Sequence, residues 1–240
     1  MHPADHAQTS PDKPAYIMAA TGETVTYKDL NDRSNQGAQL FRKYGLKRGD
    51  AIAIFMENNA RFMELCWAAQ RSGLYFTCIS SRLTAGEVEY IAGDCGAKLF
   101  ITSAAMGSVV DELVDLMPGV EHRLMVGGTR PGYDSFEDAR DAMPAEPIAD
   151  ESAGTDMLYS SGTTGRPKGI KSPLPEGPIN EVPSLLALIM GLYGAGTEST
   201  YLSPAPLYHA APLRYNMAMH RVGASCVVME HFDAEEALKL

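Results

Sequence analysis

Tyr159–Gly169 reads YSSGTTGRPKG, and nearly every residue in it can meet an anion. Ser160, Ser161, Thr163 and Thr164 carry hydroxyl donors, while Gly162, Gly165 and Gly169 free the backbone to turn its N–H groups toward phosphate oxygens. Lys168 adds a mobile point charge. A Walker A loop has a glycine directly before its lysine and a Ser or Thr after it, whereas here Pro167 precedes Lys168 and Gly169 follows. The stretch reads as a phosphate loop of another kind. A solvated turn could share its Ser, Thr and Gly content. Such a turn would not be fed by the apolar Met157, Leu158 and Tyr159, nor stiffened by a proline beside a lone lysine.

At every position YSSGTTGRPKG resembles the signature of the adenylate-forming (AMP-binding) superfamily, which includes acyl-coenzyme A synthetases, peptide-synthetase adenylation domains and luciferases. The resemblance implies a loop that holds the triphosphate of ATP while a carboxylate attacks the α-phosphorus, giving an acyl-adenylate and pyrophosphate. It assigns Ser160, Ser161, Gly162, Thr163, Thr164, Gly165 and Lys168 to ATP, with Lys168 also catalytic and Thr164 facing Mg2+. Coenzyme A is the implied acceptor in the second half-reaction.

A second chemical stretch is Tyr201–Pro212, YLSPAPLYHAAP, where a strand runs into prolines and then into His209 between an aromatic and small residues. A histidine in a proline-stiffened loop end is held where functional side chains are commonly found. The segment resembles a superfamily motif ending in Pro-Leu-Phe-His, with Tyr208 in the aromatic position, and this implies that His209 borders the carboxylate and acyl group. Ala210 and Ala211 leave room that suits an extended acyl chain.

Around the loop, Met157–Ser160 and Ile170–Ser172 read as two antiparallel strands. After it the chain departs from the superfamily pattern. Many members continue into a threonine, a histidine and a polar helix start, but Lys171–Pro178 is KSPLPEGP, an extended turn. A helix over about 180–192 follows, with Leu185, Leu188, Ile189 and Leu192 as an apolar stripe that reads first as core packing and second as the lining of an acyl pocket.

Upstream, strands alternate with helices. Ala51–Met56, Leu74–Ile79, Lys98–Thr102 and Arg123–Val126 are apolar runs, and Phe62, Leu65, Cys66 and Ala69 mark an intervening helix face. Thr84 with Glu87, and Thr26 with Asp29, form or approximate capping boxes. The fold class is α/β, with mainly parallel sheets flanked by helices. Residues 1–14 read as a loose leader. Trp67 reads as packing, and Gly127-Gly128 as a plain turn. Gly223–Met229 is a further strand, and Asp233 with Glu236 opens a final short helix.

Thirty Asp and Glu against twenty Lys and Arg give a net charge of -10, which disfavours nucleic acid and anionic bilayers as partners. No apolar run is long enough for a membrane span, and MHPADHAQTSPDKP lacks the basic start of a signal peptide, so a cytoplasmic protein is expected. Cys66, Cys78, Cys95 and Cys226 lack zinc spacing and read as buried reduced thiols.

These readings divide the chain into 1–36, opening one α/β subdomain; 37–195, a complete subdomain carrying the phosphate loop; and 196–240, continuing the first. The chain is expected to be the N-terminal part of an acyl-CoA synthetase acting on a fatty or other hydrophobic acid. Alone it is expected to be inactive, and its uncovered apolar surface is expected to pair as a homodimer or take another chain. The competing readings are adenylation of an aryl or amino acid, and a short nucleotide-binding or interaction module.

Overall fold

The structure is a computed structural model of the 240-residue chain and describes residues 1–160 and 166–240. The first residues are not loose: Pro3–Thr9 is a helix (α1) capped by His2, whose ring accepts Ala4 N–H while Asp5 accepts the His2 N–H. Buried His2 anchors it, meeting the Trp67 ring edge-on at 5.0 Å. A polar stretch is thus ordered by one capping residue and one aromatic contact. Strands β1 (Pro14–Met18) and β2 (Thr24–Thr26) follow. Helix α2 (Tyr27–Lys43) starts at a reciprocal Thr26–Asp29 capping box.

The alternating region is β3 (Ala51–Phe55), α3 (Phe62–Arg71), β4 (Tyr75–Ile79), α4 (Ala85–Asp94), β5 (Ala97–Ser103), α5 (Val109–Leu116), β6 (His122–Val126), β7 (Asp134–Ser135) and α6 (Phe136–Asp141). The rest is β8 (Thr155–Asp156), β9 (Leu158–Ser160), β10 (Lys168–Ile170), α7 (Ser184–Tyr193), β11 (Thr200–Ser203), α8 (Ala210–Val222), β12 (Ser225–Val228) and α9 (Ala234–Lys239).

Strands β3 to β8 form one sheet in the order β7-β6-β5-β3-β4-β8, with every pair parallel. Every residue of β3 and β4 is buried, as expected for strands covered on both faces. A second sheet has the order β11-β12-β1-β2 and is parallel except at β2. It draws its strands from the two ends of the chain, and α2 runs unbroken through residues 36 and 37 to join the two layers.

Helices α2 and α3 cross closely. A Cβ on Gly37 would lie 2.7 Å from the Ala68 Cβ, so glycine is required there. Glu64 of α3 is buried and holds Arg33 of α2, Arg61, and Arg140 of α6 at 2.9, 2.9 and 2.7 Å, fastening three helical segments to one carboxylate. All four cysteines are buried and free, and burial pushes the Cys226 thiol up.

Helix α7 differs from its expected stripe. Leu186 and Ile189 are buried, whereas Leu188 and Leu192 are 55% and 64% exposed. The segment is apolar all round, so its packing partner, not its periodicity, selects the inward face. Helix α8 has no counterpart in the sequence reading. Its buried side carries Asn216, His220 and Arg221 alongside apolar residues, which breaks the hydrophobic repeat. No described helix is long and apolar enough to cross a membrane.

Trp67 Nε1–H donates to His220 Nδ1 at 3.1 Å, which fixes the buried imidazole as neutral with its proton on Nε2. Burial lowers the His220 pKa from the usual 6.5 to about 3. His2 is lowered too, by burial and by nearby Arg71 and Arg221. Between about pH 6.5 and 5 the unfolded chain binds protons that the folded chain refuses, so stability should fall with pH by up to roughly 1.4 kcal/mol per pH unit for each histidine. Urea unfolding at several pH values measures this slope. His220→Gln should flatten it by about half, and equal stability of the parent at pH 7 and pH 5 would contradict the assignment.

Candidate functional site

Strands β9 and β10 form an antiparallel hairpin in which Lys168 stands opposite Ser160, Gly169 opposite Tyr159 and Ile170 opposite Leu158. The tip residues Ser161, Gly162, Thr163, Thr164 and Gly165, five of the expected ATP contacts and the expected magnesium contact among them, lie outside the described residues. The base of the hairpin is firmly built. A Cβ on Gly169 would come within 2.7 Å of Met157 Cε and 2.8 Å of Tyr159 Cζ, so glycine lets the cross-strand Tyr159 ring lie flat over the backbone. Tyr159 donates its hydroxyl to Asp94, and partial burial together with that bond raises the phenol above its usual range. On the other side Tyr90 donates to the Pro167 carbonyl at 3.2 Å and lies under the Arg166 guanidinium at 5.0 Å from the ring centroid.

The hairpin is also tied to the parallel sheet. Met157 N–H donates to the Phe76 carbonyl of β4 at 3.0 Å, and Tyr75 donates to the Ser172 carbonyl at 2.9 Å. Ser160 and Lys168 are thus brought side by side at the exposed end of an anchored hairpin, and among the described residues Lys168 has no carboxylate partner. An unpaired ammonium on a rigid stem, next to a hydroxyl, suits a phosphate ligand.

His209 is exposed and stands at the N-cap of α8 with an extended backbone, its ring 4.6 Å from that of Tyr208. What holds it there was not legible in the sequence. Asn58, buried just beyond β3, accepts Leu207 N–H at 2.8 Å and donates to the carbonyls of Ala205 at 3.3 Å and Met229 at 2.8 Å. That one amide pins the proline turn preceding His209 to the end of β12. Among the described residues no hydrogen bond or ion pair joins His209 to Ser160 or Lys168.

Between the two layers lies a cavity of about 670 Å3, walled by Phe76, Leu186, Met217 and the proline-bearing segment 175–183, with Asp156, Arg214 and Arg221 as polar groups. A second cavity, of about 550 Å3, opens at the carboxyl ends of β3, β5 and β6 and is lined by Glu23, Glu57 and Glu137. Among the described residues no group of three or more His, Cys, Asp or Glu side chains could hold a metal ion.

The covered parallel sheet and the hairpin leaving its edge strand make this an α/β protein with a candidate anion site at the sheet edge. The model of the family described as AMP-binding enzyme matches residues 4–240, and the chain belongs to that family. It is 29% identical over 239 residues to the long-chain-fatty-acid–CoA ligase FadD13 of Mycobacterium tuberculosis, covering 98% of this chain and 45% of that protein. It is 28% identical to 2-succinylbenzoate–CoA ligase of Oceanobacillus iheyensis, covering 96% of this chain and 44% of that protein. The N-terminal domain of FACL13 from Mycobacterium tuberculosis superposes with a TM-score of 0.83 at 26% identity, over 99% of this chain and 58% of that domain. The chain therefore spans less than half the length of these two ligases.

Asn58→Ala should leave buried backbone groups at Leu207 and Met229 without partners and lower unfolding stability by about 2–3 kcal/mol. Urea denaturation reads this directly, and a change below about 0.5 kcal/mol would show that the turn before His209 does not depend on Asn58.

Proposed function

We propose that the chain supplies the ATP-phosphate and carboxylate-facing part of an acyl-CoA synthetase. The enzyme would activate a hydrophobic acid, a fatty acid foremost, as its acyl-adenylate and transfer the acyl group to coenzyme A. The observation that carries this reading is the anchored hairpin presenting, opposite Ser160, a Lys168 that has no carboxylate partner among the described residues. The family membership of residues 4–240 supports it. The fatty-acid preference draws support from the FadD13 relative, while the 2-succinylbenzoate ligase at similar identity keeps aryl acids in the test.

In the proposed step a carboxylate oxygen forms a bond to the α-phosphorus as the bond to pyrophosphate breaks. Negative charge grows on the departing pyrophosphate, and donors that already point at it stabilise the transition state without reorganising. Lys168, the hydroxyls of Ser160, Ser161, Thr163 and Thr164, and the backbone N–H groups around Gly162 and Gly165 would supply that stabilisation. Magnesium, where bound, would add positive charge at the phosphates, with Thr164 as its protein contact. His209, exposed at the start of α8, would face the reacting carboxylate and orient it.

Pyrophosphate exchange by the full natural protein, with fatty acids of several lengths and with aryl acids, tests the reading. Lys168→Ala should lower kcat about a hundredfold or more while acid affinity changes little. Stability should stay within roughly 0.5 kcal/mol, since an exposed lysine buries nothing. An unchanged exchange rate would remove Lys168 from the site.

His209→Ala should reduce kcat/KM for the acid more than for ATP and shift the preference among acids. A variant that melts much lower yet keeps normal specific activity would make His209 a structural cap instead.

A further inference from the structure

Asp156 ends β8, immediately ahead of Met157 and the strand that feeds the phosphate loop. Arg214 lies in the second turn of α8, the helix that His209 opens. Arg214 Nε donates to Asp156 Oδ1 at 3.2 Å and its Nη2 donates to Oδ2 at 2.8 Å, the two-bond geometry of a guanidinium on a carboxylate. The Asp156 side chain is 10% exposed and that of Arg214 47%, and both face the cavity between the layers. Among the described residues, no other side-chain hydrogen bond or ion pair joins residues 151–172 to residues 200–229.

We propose that the Asp156–Arg214 pair is a positioning element for adenylation, setting the spacing between the phosphate-loop strand and the His209 helix. The proposal rests on the function and site assigned above. Each segment has its own support: β8 and Met157 hang on β4, while the turn before α8 hangs on Asn58. Asn58 after β3 and Trp67 of α3 tie the two ends of the α8 segment to the larger layer, but among the described residues this pair alone links that segment directly across the span to residues 151–172 through side-chain hydrogen bonds. The reacting carboxylate and the α-phosphorus must meet across that span, and a misplacement of about 1 Å costs roughly a hundredfold in rate. A bidentate contact constrains both distance and angle, which a lysine in place of Arg214 would not. Asp156 is nearly buried while Arg214 is half-exposed, so removing Arg214 alone should also lower the melting temperature, and the positioning role is read from kcat of the folded variants.

The test is a double-mutant cycle in the full natural protein, read by pyrophosphate exchange and by amide hydrogen exchange. Asp156→Ala and Arg214→Ala should each lower kcat about tenfold or more, with a smaller change in KM for ATP. The double variant should be no worse than either single one, because the two side chains act as a unit. Arg214→Lys should recover only part of the loss. Independently of any activity, both single variants should speed amide exchange at Met157 and at Leu213, on the two sides of the span. Losses in kcat that multiply, a lower melting temperature with unchanged kcat, or loss of protection on one side only would each overturn the proposal. A parent protein with no exchange activity would instead refute the assigned function, and the amide readout would then decide the pair by itself.

Discussion

Pro14–Met18 and Ser225–Val228 pair in parallel, with Tyr16 opposite Cys226 and Met18 opposite Val228, and the placement of α8 depends on that pairing. Ser225 donates to the Pro14 carbonyl across 211 residues of chain, Ala19 N–H reaches the Val228 carbonyl, and Tyr27 donates to Ala224. Closing so long a loop costs only slowly more with length, but the cost comes before any contact rewards it. The six-stranded layer pairs β3 to β7 within residues 51–135 and needs one longer closure, of β8 onto β4. The smaller layer, and with it the end of β12 to which Asn58 ties the His209 turn, waits for the two ends of the chain to meet. The hairpin is tied to the first layer and His209 lies in the second, so the proposed site would be complete only when both have formed.

That division also separates what the sequence disclosed from what it hid. Wherever a covered strand or an amphipathic helix obeys its period, as in β3 to β6 and α3, residue pattern and observed element coincide within a residue or so. The two capping boxes at Thr26 and Thr84 did so as well. The hidden elements are those whose buried faces are polar or whose surfaces are uniform. Helix α1 buries a histidine and a proline, α8 buries Asn216 against Ser203 and His220 against Trp67, and α7 is apolar on every side. In each case a specific tertiary partner replaces the hydrophobic repeat as the signal. Asn58, Asp156 and Arg214 share that character, since their importance comes from what stands opposite them in space.

Fold and site point to different places. In an open parallel sheet of order β7-β6-β5-β3-β4-β8, connections leave β3 and β5 in opposite directions, and ligands of such sheets commonly occupy the crevice at those carboxyl ends. A cavity is present there, lined by Glu23, Glu57 and Glu137 against the single cation Arg61, and the net negative lining disfavours a polyphosphate. Their acceptor atoms are already used: Glu57 takes hydrogen bonds from Asn59 and Ser103, Glu23 is paired with Arg61, and Glu137 accepts Gly127 N–H. The phosphate-type residues lie at the far edge of the sheet instead, beyond β8. Architecture and residue chemistry thus nominate different crevices, which is why the proposed function is argued from side chains.

The chain carries a net charge of -10, yet under the proposed function its hairpin would have to receive an anion. Screening reconciles the two, because at physiological salt a charge is felt over about 8 Å and distant carboxylates contribute little at the hairpin. Arg166, Lys168 and Lys171 cluster at its base and exit, with Arg166 held over Tyr90 and Lys171 over Tyr75 by their aromatic faces. Among the described residues those two cations have no carboxylate partner, so their charge is not cancelled at the proposed phosphate position. Lys168 points from the strand opposite Ser160 with neither kind of partner among the described residues. A carboxylate fixing these side chains would have held them as firmly but neutralised them, and aromatic anchoring leaves their charge for the ligand.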